Sequence, residues 1–229
     1  MRITGISVYQ VDLPVKGGGF HQSGGRIRRS VDTSVVRVDT DAGLTGWGET
    51  CPFGADWNPA FAEGARAGME VMAPHLIGQD PREIAAINQR MDTDLFGHPY
   101  AKSGIDIACW DILGKAAGLP VYALLGGRLV DKFPFTGFLT IDTGPEIIAL
   151  IDDYRQRGCN RFEFKASGDP AVDIEMIRFM GKQMRTGDTL KVDANGGWVL
   201  DEALRVSEAT RGVHVLFEQP CRSYEACRA

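Results

Sequence analysis

The sequence predicts an α/β protein in two parts, an α+β segment over residues 1–128 followed by a parallel α/β segment over residues 129–229. Three observations carry this. Near the N-terminus apolar and polar residues alternate as they do in half-buried strands. From about Ala60 to Leu125 the apolar spacing becomes helical. From Phe133 onward short apolar runs alternate with amphipathic helical stretches, and parallel strands need crossovers of that kind.

Taken in order, "ITGISVYQVDLPV", "TSVVRVDT" and "TGWGET" read as three strands, with Asp41-Ala42-Gly43 turning between the last two, which predicts an antiparallel meander. Between the first two lies "KGGGFHQSGGRIRRS", whose glycine content predicts a mobile loop, and "CPFGADWNPAF" after the third predicts another. The helical region is expected to break at Pro74, at "FGHPY" and at "GQDPRE", where Asp80 would cap a helix with Pro81 at its first position. Then come "FPFTGFLTI", a helix from Pro145, "RFEFK", a helix from Pro170, "LKVDAN", a helix from Leu200, and "VHVLFEQP". An open doubly wound sheet and a (β/α) barrel both begin this way.

Composition narrows the partners. The chain of 229 residues is 44% hydrophobic and 24% charged, ordinary for a globular protein. With a net charge of −5 and no basic run, it lacks the footprint of a nucleic-acid binder, so small molecules are the expected partners. The five scattered cysteines lack zinc-site spacing and read as reduced thiols of a cytoplasmic protein. The N-terminus has no basic-then-apolar secretion pattern, and no apolar stretch reaches transmembrane length, so no membrane partner is expected.

The strand ends carry the chemistry. "RFEFK" ends in Lys165, "LKVDAN" brings Asp193 with Asn195 on the same face, and "VHVLFEQP" brings Glu218. In parallel α/β folds that rim is where reactions occur. Two carboxylates with oxygen-rich neighbours, and no histidine or cysteine at equivalent positions, suit Mg²⁺ better than zinc. A lysine beside such a cation and partly desolvated shifts toward its neutral amine, which makes Lys165 a candidate general base.

The Lys-ending strand, "VDANGGW", "FEQP" and the upstream "SGIDIACWDILGKAAGLPVYALLGG", in this order, resemble the mandelate racemase and muconate lactonizing group of the enolase superfamily. That resemblance implies an α+β domain capping a modified barrel, with Lys165 as base and Asp193 and Glu218 as the first two Mg²⁺ ligands. It further implies removal of the proton α to a carboxylate on a small-molecule substrate; a homo-oligomer is also expected. The wording "GGRIRRSVDTSVVRVDTDAGLTGWGETCPFG" and "GHPYAKS" is most like members acting on proline derivatives, by β-hydroxyl loss or by epimerisation. Because members of this group close cap loops over their substrates, His21 and Ser23 in the first loop and Asp56 and Trp57 in the second become candidate substrate contacts, together with Asn195.

Two departures stand out. The group often shows Lys-x-Lys where this chain has Glu163-Phe164-Lys165, so tuning of Lys165 is expected to come mainly from the metal and burial. A complete barrel takes on the order of 250 residues, whereas residues 129–229 hold four strands. A fragment is therefore expected, lacking a third metal acid and a second lysine, and a truncated paralogue acting as a binding protein is the competing reading. Trp198, Asp106, Asp111 and His98 are expected to be structural.

Overall fold

The computed structural model describes residues 1–16, 19–22, 26–55, 58–140 and 144–229. It divides into two compact units, Met1–Lys16 with Arg29–Asp131, and Gly17–Arg28 with Lys132–Ala229. Residues 17–28 thus group with the second unit, which a single cut at 128/129 does not anticipate.

The first unit opens with β1 (Ile3–Pro14). In the 17–28 segment, β2 (Phe20–Gln22) pairs antiparallel with β3 (Arg26–Arg28). Strands stand where glycine content predicts only a loop, because Phe20-His21-Gln22 and Arg26-Ile27-Arg28 are themselves free of glycine. β4 (Ser30–Thr40) and β5 (Thr45–Thr50) complete the predicted meander, in the order β1-β4-β5.

Three helices follow: α1 (Ala62–Leu76), α2 (Ile84–Asp94) and α3 (Pro99–Ala117). Pro74 lies inside α1 instead of ending it; its missing N–H leaves the Glu70 carbonyl without an intrahelical partner, a loss confined to the last turns of the helix. Asp80 accepts the backbone N–H of Arg82 at 3.0 Å, yet α2 begins only at Ile84, so Asp80 and Pro81 build a turn ahead of the helix. α3 lies close on β5 because both faces are trimmed to glycine. A Cβ on Gly48 would sit 2.0 Å from the Gly104 carbonyl oxygen, and one on Gly46 would sit 2.1 Å from that of Ala108. Val36, Met69, Met72, Ile87, Met91 and Ile105 fill the core between sheet and helices. A short α4 (Val121–Leu124) closes the unit.

The second unit alternates β6 (Thr136–Leu139), α5 (Pro145–Gln156), β7 (Arg161–Lys165), α6 (Pro170–Gln183), β8 (Thr189–Asp193), α7 (Leu200–Ala209), β9 (Val215–Glu218) and α8 (Tyr224–Arg228). Each predicted helix start, at Pro145, Pro170 and Leu200, is observed. The strands pair in parallel in the order β6-β7-β8-β9. Phe162, Phe164, Leu190 and Val192 point to one face, against Ile151 of α5, Met176 and Met180 of α6, and Val206 of α7. Helices on one face only, over strands in sequential order, make this part of a barrel; a doubly wound sheet is covered on both faces. No described helix is long and apolar enough to cross a membrane.

Candidate active site

The face opposite the helices carries the charge. Alternation puts Glu163 and Lys165 on that face of β7, and Lys191 and Asp193 on that face of β8. Register then stacks two layers: Glu163 beside Lys191 beside Leu216, and at the rim Lys165 beside Asp193 beside Glu218.

Five of these six side chains form one network. Lys165 Nζ donates to Asp193 Oδ2 at 2.5 Å and lies 3.1 Å from Glu163 Oε1. Lys191 Nζ lies 2.6 Å from Glu163 Oε2 and also pairs with Glu218. The side chains of Asp193 and Glu163 are only 3% and 6% exposed, and that of Glu218 is 46% exposed. Three carboxylates and two ammonium groups leave one net negative charge, which favours a further cation.

Burial pulls the Lys165 ammonium toward its neutral form, but the hydrogen bonds and charges of Asp193 and Glu163 outweigh it, so its pKa stands above that of an ordinary lysine. The expectation that the metal and burial mainly tune Lys165 leaves out two contacts: Asp193 first, and Glu163 at 3.1 Å, both favour its protonated form. Lys191 behaves in the same way, burial opposing and Glu163 with Glu218 prevailing.

The loops after the strands fix the carboxylates. Asn195 is left-handed, with φ 49°, a conformation asparagine tolerates. This bends its backbone N–H onto Asp193 Oδ1 at 2.8 Å and its Nδ2 onto Oδ2 at 2.7 Å. The Ala166 N–H donates to the Asp193 carbonyl at 2.9 Å, the Ala194 N–H to that of Glu218 at 3.1 Å, and the Gly196 N–H to that of Gln219 at 2.7 Å. The three rim loops are thus laced by backbone hydrogen bonds, and small residues allow that approach.

Glu163, Asp193 and Glu218 each present a carboxylate oxygen within 4.8 Å of the others. An all-oxygen, all-carboxylate set suits a hard cation such as Mg²⁺ better than zinc or copper. Sequence reasoning named Asp193 and Glu218 and missed Glu163 and Lys191 as members. Their signal was the period of two, each standing two residues before a rim residue.

The remaining candidates are less assembled. Asn195 joins the site through Asp193. The backbone of His21 lies in β2, while Ser23, Asp56 and Trp57 fall outside the described residues. Three of the residues expected to be structural have structural partners: Asp106 accepts from Asn88 at 2.7 Å, Asp111 from the Trp47 N–H at 2.9 Å, and Trp198 is buried edge-on against Phe217; His98 stands in a left-handed conformation just before α3, with no side-chain cap hydrogen bond. A cavity of about 580 Å³ lies at the opposite ends of the strands, among Arg178, Arg185, Asp188 and His214, away from the converging carboxylates.

Residues 14–126 match the N-terminal domain of the mandelate racemase / muconate lactonizing enzyme family, and residues 146–229 match the enolase C-terminal domain-like family. A cis-3-hydroxy-L-proline dehydratase of Roseibium aggregatum is 45% identical over 98% of this chain, and the chain spans 61% of that relative's length. An N-succinyl-L-Arg/Lys racemase of Bacillus cereus is 32% identical over 86% of this chain and 53% of its own length. A crystal structure of an enolase superfamily member from Roseovarius nubinhibens, complexed with magnesium, superposes with a TM-score of 0.86 at 38% identity, covering 99% of this chain and 61% of that one.

Proposed function

The chain belongs to the mandelate racemase and muconate lactonizing enzyme family of the enolase superfamily, as a capping domain with part of a barrel, and from that premise we propose that it supplies the base and metal-binding rim of a Mg²⁺-dependent hydroxyproline dehydratase. The observation that carries the proposal is the meeting of Lys165 Nζ with Asp193 at 2.5 Å in a rim where three carboxylates converge.

In this reading Asp193 and Glu218 hold Mg²⁺. Bound there, the cation supplies electrophilic stabilisation of the negative charge that develops on the substrate carboxylate when its α proton leaves. Lys165 takes that proton. Asp193 and Glu163 favour the ammonium form of Lys165; a cation held by Asp193 would take up part of that support and favour the amine. Glu163 and Lys191 neutralise one another beneath the base and hold Glu218 in place. Loss of the 3-hydroxyl, which leaves with a proton as water, gives an enamine that tautomerises to a cyclic imine. The 45% identity to a cis-3-hydroxy-L-proline dehydratase supports that substrate, and the 32% identity to a racemase supports epimerisation as the second reading.

Proton NMR of cis-3-hydroxy-L-proline incubated with the protein and Mg²⁺ separates the two. Dehydration predicts loss of the C3 carbinol signal and appearance of a cyclic imine. Inversion at Cα with the hydroxyl retained would transfer the assignment to an epimerase, and an unchanged substrate would refute both for this compound.

A further inference from the structure

We propose that Asp173 is a positioning residue that clamps the loop after Lys165 to the loop after Asp193, so that base and metal ligand keep a fixed separation. Asp173 sits in the first turn of α6 and is 0% exposed. Its Oδ1 accepts the Ser167 backbone N–H at 2.7 Å and the Ser167 hydroxyl at 2.9 Å. Its Oδ2 accepts the Gly168 N–H at 3.1 Å and, from the other loop, the Trp198 indole N–H at 2.9 Å. A buried carboxylate is costly unless its lone pairs are filled. Here four donors from two loops fill them, aided by the N-terminal dipole of α6. Neither loop can relax without stranding part of that charge.

The loops touch at their glycines as well. A Cβ on Gly197 would come within 3.9 Å of the Gly168 Cα. Trp198, 2% exposed, is anchored edge-on against Phe217 of β9, one residue before Glu218. The clamp therefore reaches the strands that deliver Lys165, Asp193 and Glu218. Local capping of α6 does not require it, since the cap is made by Asp169, whose Oδ1 accepts the Ala171 N–H at 2.8 Å.

The geometry stands without any function, and only the kinetic arm of its test rests on the proposed dehydration. The decisive variant is Trp198→Phe, which removes the indole donor from one loop while the readout is taken on the other. The expected result is that amide hydrogen exchange at Ser167 and Gly168, followed by mass spectrometry, accelerates about tenfold, because losing a hydrogen bond to a charged acceptor releases the opposite loop. Asp173→Asn gives a larger acceleration at both amides. Phe217→Leu, which disturbs the same packing but leaves all four donors, gives a clearly smaller acceleration at those amides. In turnover, Trp198→Phe lowers kcat about tenfold with KM held within about threefold, the pattern of a misplaced reacting group. Unchanged exchange at Ser167 and Gly168 in Trp198→Phe, or equal acceleration in Phe217→Leu, would overturn the clamp. Accelerated exchange in a protein whose wild type shows no turnover would keep the clamp and reject the dehydratase.

Discussion

Replacing Lys165 by methionine separates its two relations to the site, because the substitution keeps the alkyl volume of a side chain that is only 14% exposed and deletes the ammonium. That ammonium lies 2.5 Å from Asp193 Oδ2, on a carboxylate of the proposed cation site, and 3.1 Å from Glu163. A hydrogen bond to a charged partner is worth roughly 1.5–3 kcal/mol net. The Coulomb repulsion between neighbouring unit charges at an effective dielectric of 20 is larger, about 4 kcal/mol at 4 Å. Water and the flexible lysine stem absorb much of the repulsion, so the hydrogen-bond figure is the safer floor. At about 1.4 kcal/mol per factor of ten, it predicts Mg²⁺ binding about ten- to a hundredfold tighter in Lys165→Met. Isothermal titration with MgCl₂ at low ionic strength gives the affinity directly. Binding weaker than wild type would refute the reasoning, since it would mean that Lys165 organises the carboxylates for the metal instead of competing with it.

Two further outcomes follow from the fold. Gly48→Ala drives a Cβ to 2.0 Å from the Gly104 carbonyl, and since backbone must move, it should cost on the order of 3 kcal/mol in urea unfolding; a loss near zero would show that α3 does not bear on β5 as described. Asp80 accepts from Arg82 through Nε at 3.0 Å and through its terminal nitrogen at 2.6 Å, and these contacts hold its carboxyl well below the usual carboxylate range. A lowered folded pKa stabilises the fold above the unfolded value and is lost as pH falls, so the advantage over Asp80→Asn, on the order of 1 kcal/mol at pH 7, should shrink below about pH 4; a difference that grows on acidification would contradict this.

Much of this was legible in the sequence, and what was not has identifiable causes. The rim residues Lys165, Asp193 and Glu218 could be placed because a parallel strand announces its own end and parallel register brings such ends together. Lys191 could not be paired with Glu163 in that way, because cross-strand partners follow from register, which a strand's own pattern does not fix. Asp173 was read past for another reason. An acid in the first turn of a helix has an ordinary explanation in the helix dipole, and only the folded loops reveal that its oxygens point to Ser167, Gly168 and Trp198. The β2–β3 hairpin was hidden by glycines flanking two short glycine-free runs. Pro74 and Pro81 misled because a proline near a helix end can be accommodated or can stand ahead of the first turn.

The claim at the centre is that Lys165 removes the α proton. It is tested by incubating wild type and Lys165→Ala with cis-3-hydroxy-L-proline and Mg²⁺ in deuterated water, and following deuterium at Cα of recovered substrate together with cyclic imine formation. Wild type is expected to form the imine, with any deuterium uptake into recovered substrate arising through the same proton removal, and Lys165→Ala to show neither at saturating substrate, since exchange and elimination share one proton transfer. Deuterium uptake that persists in Lys165→Ala would assign the base to another residue and contradict the account.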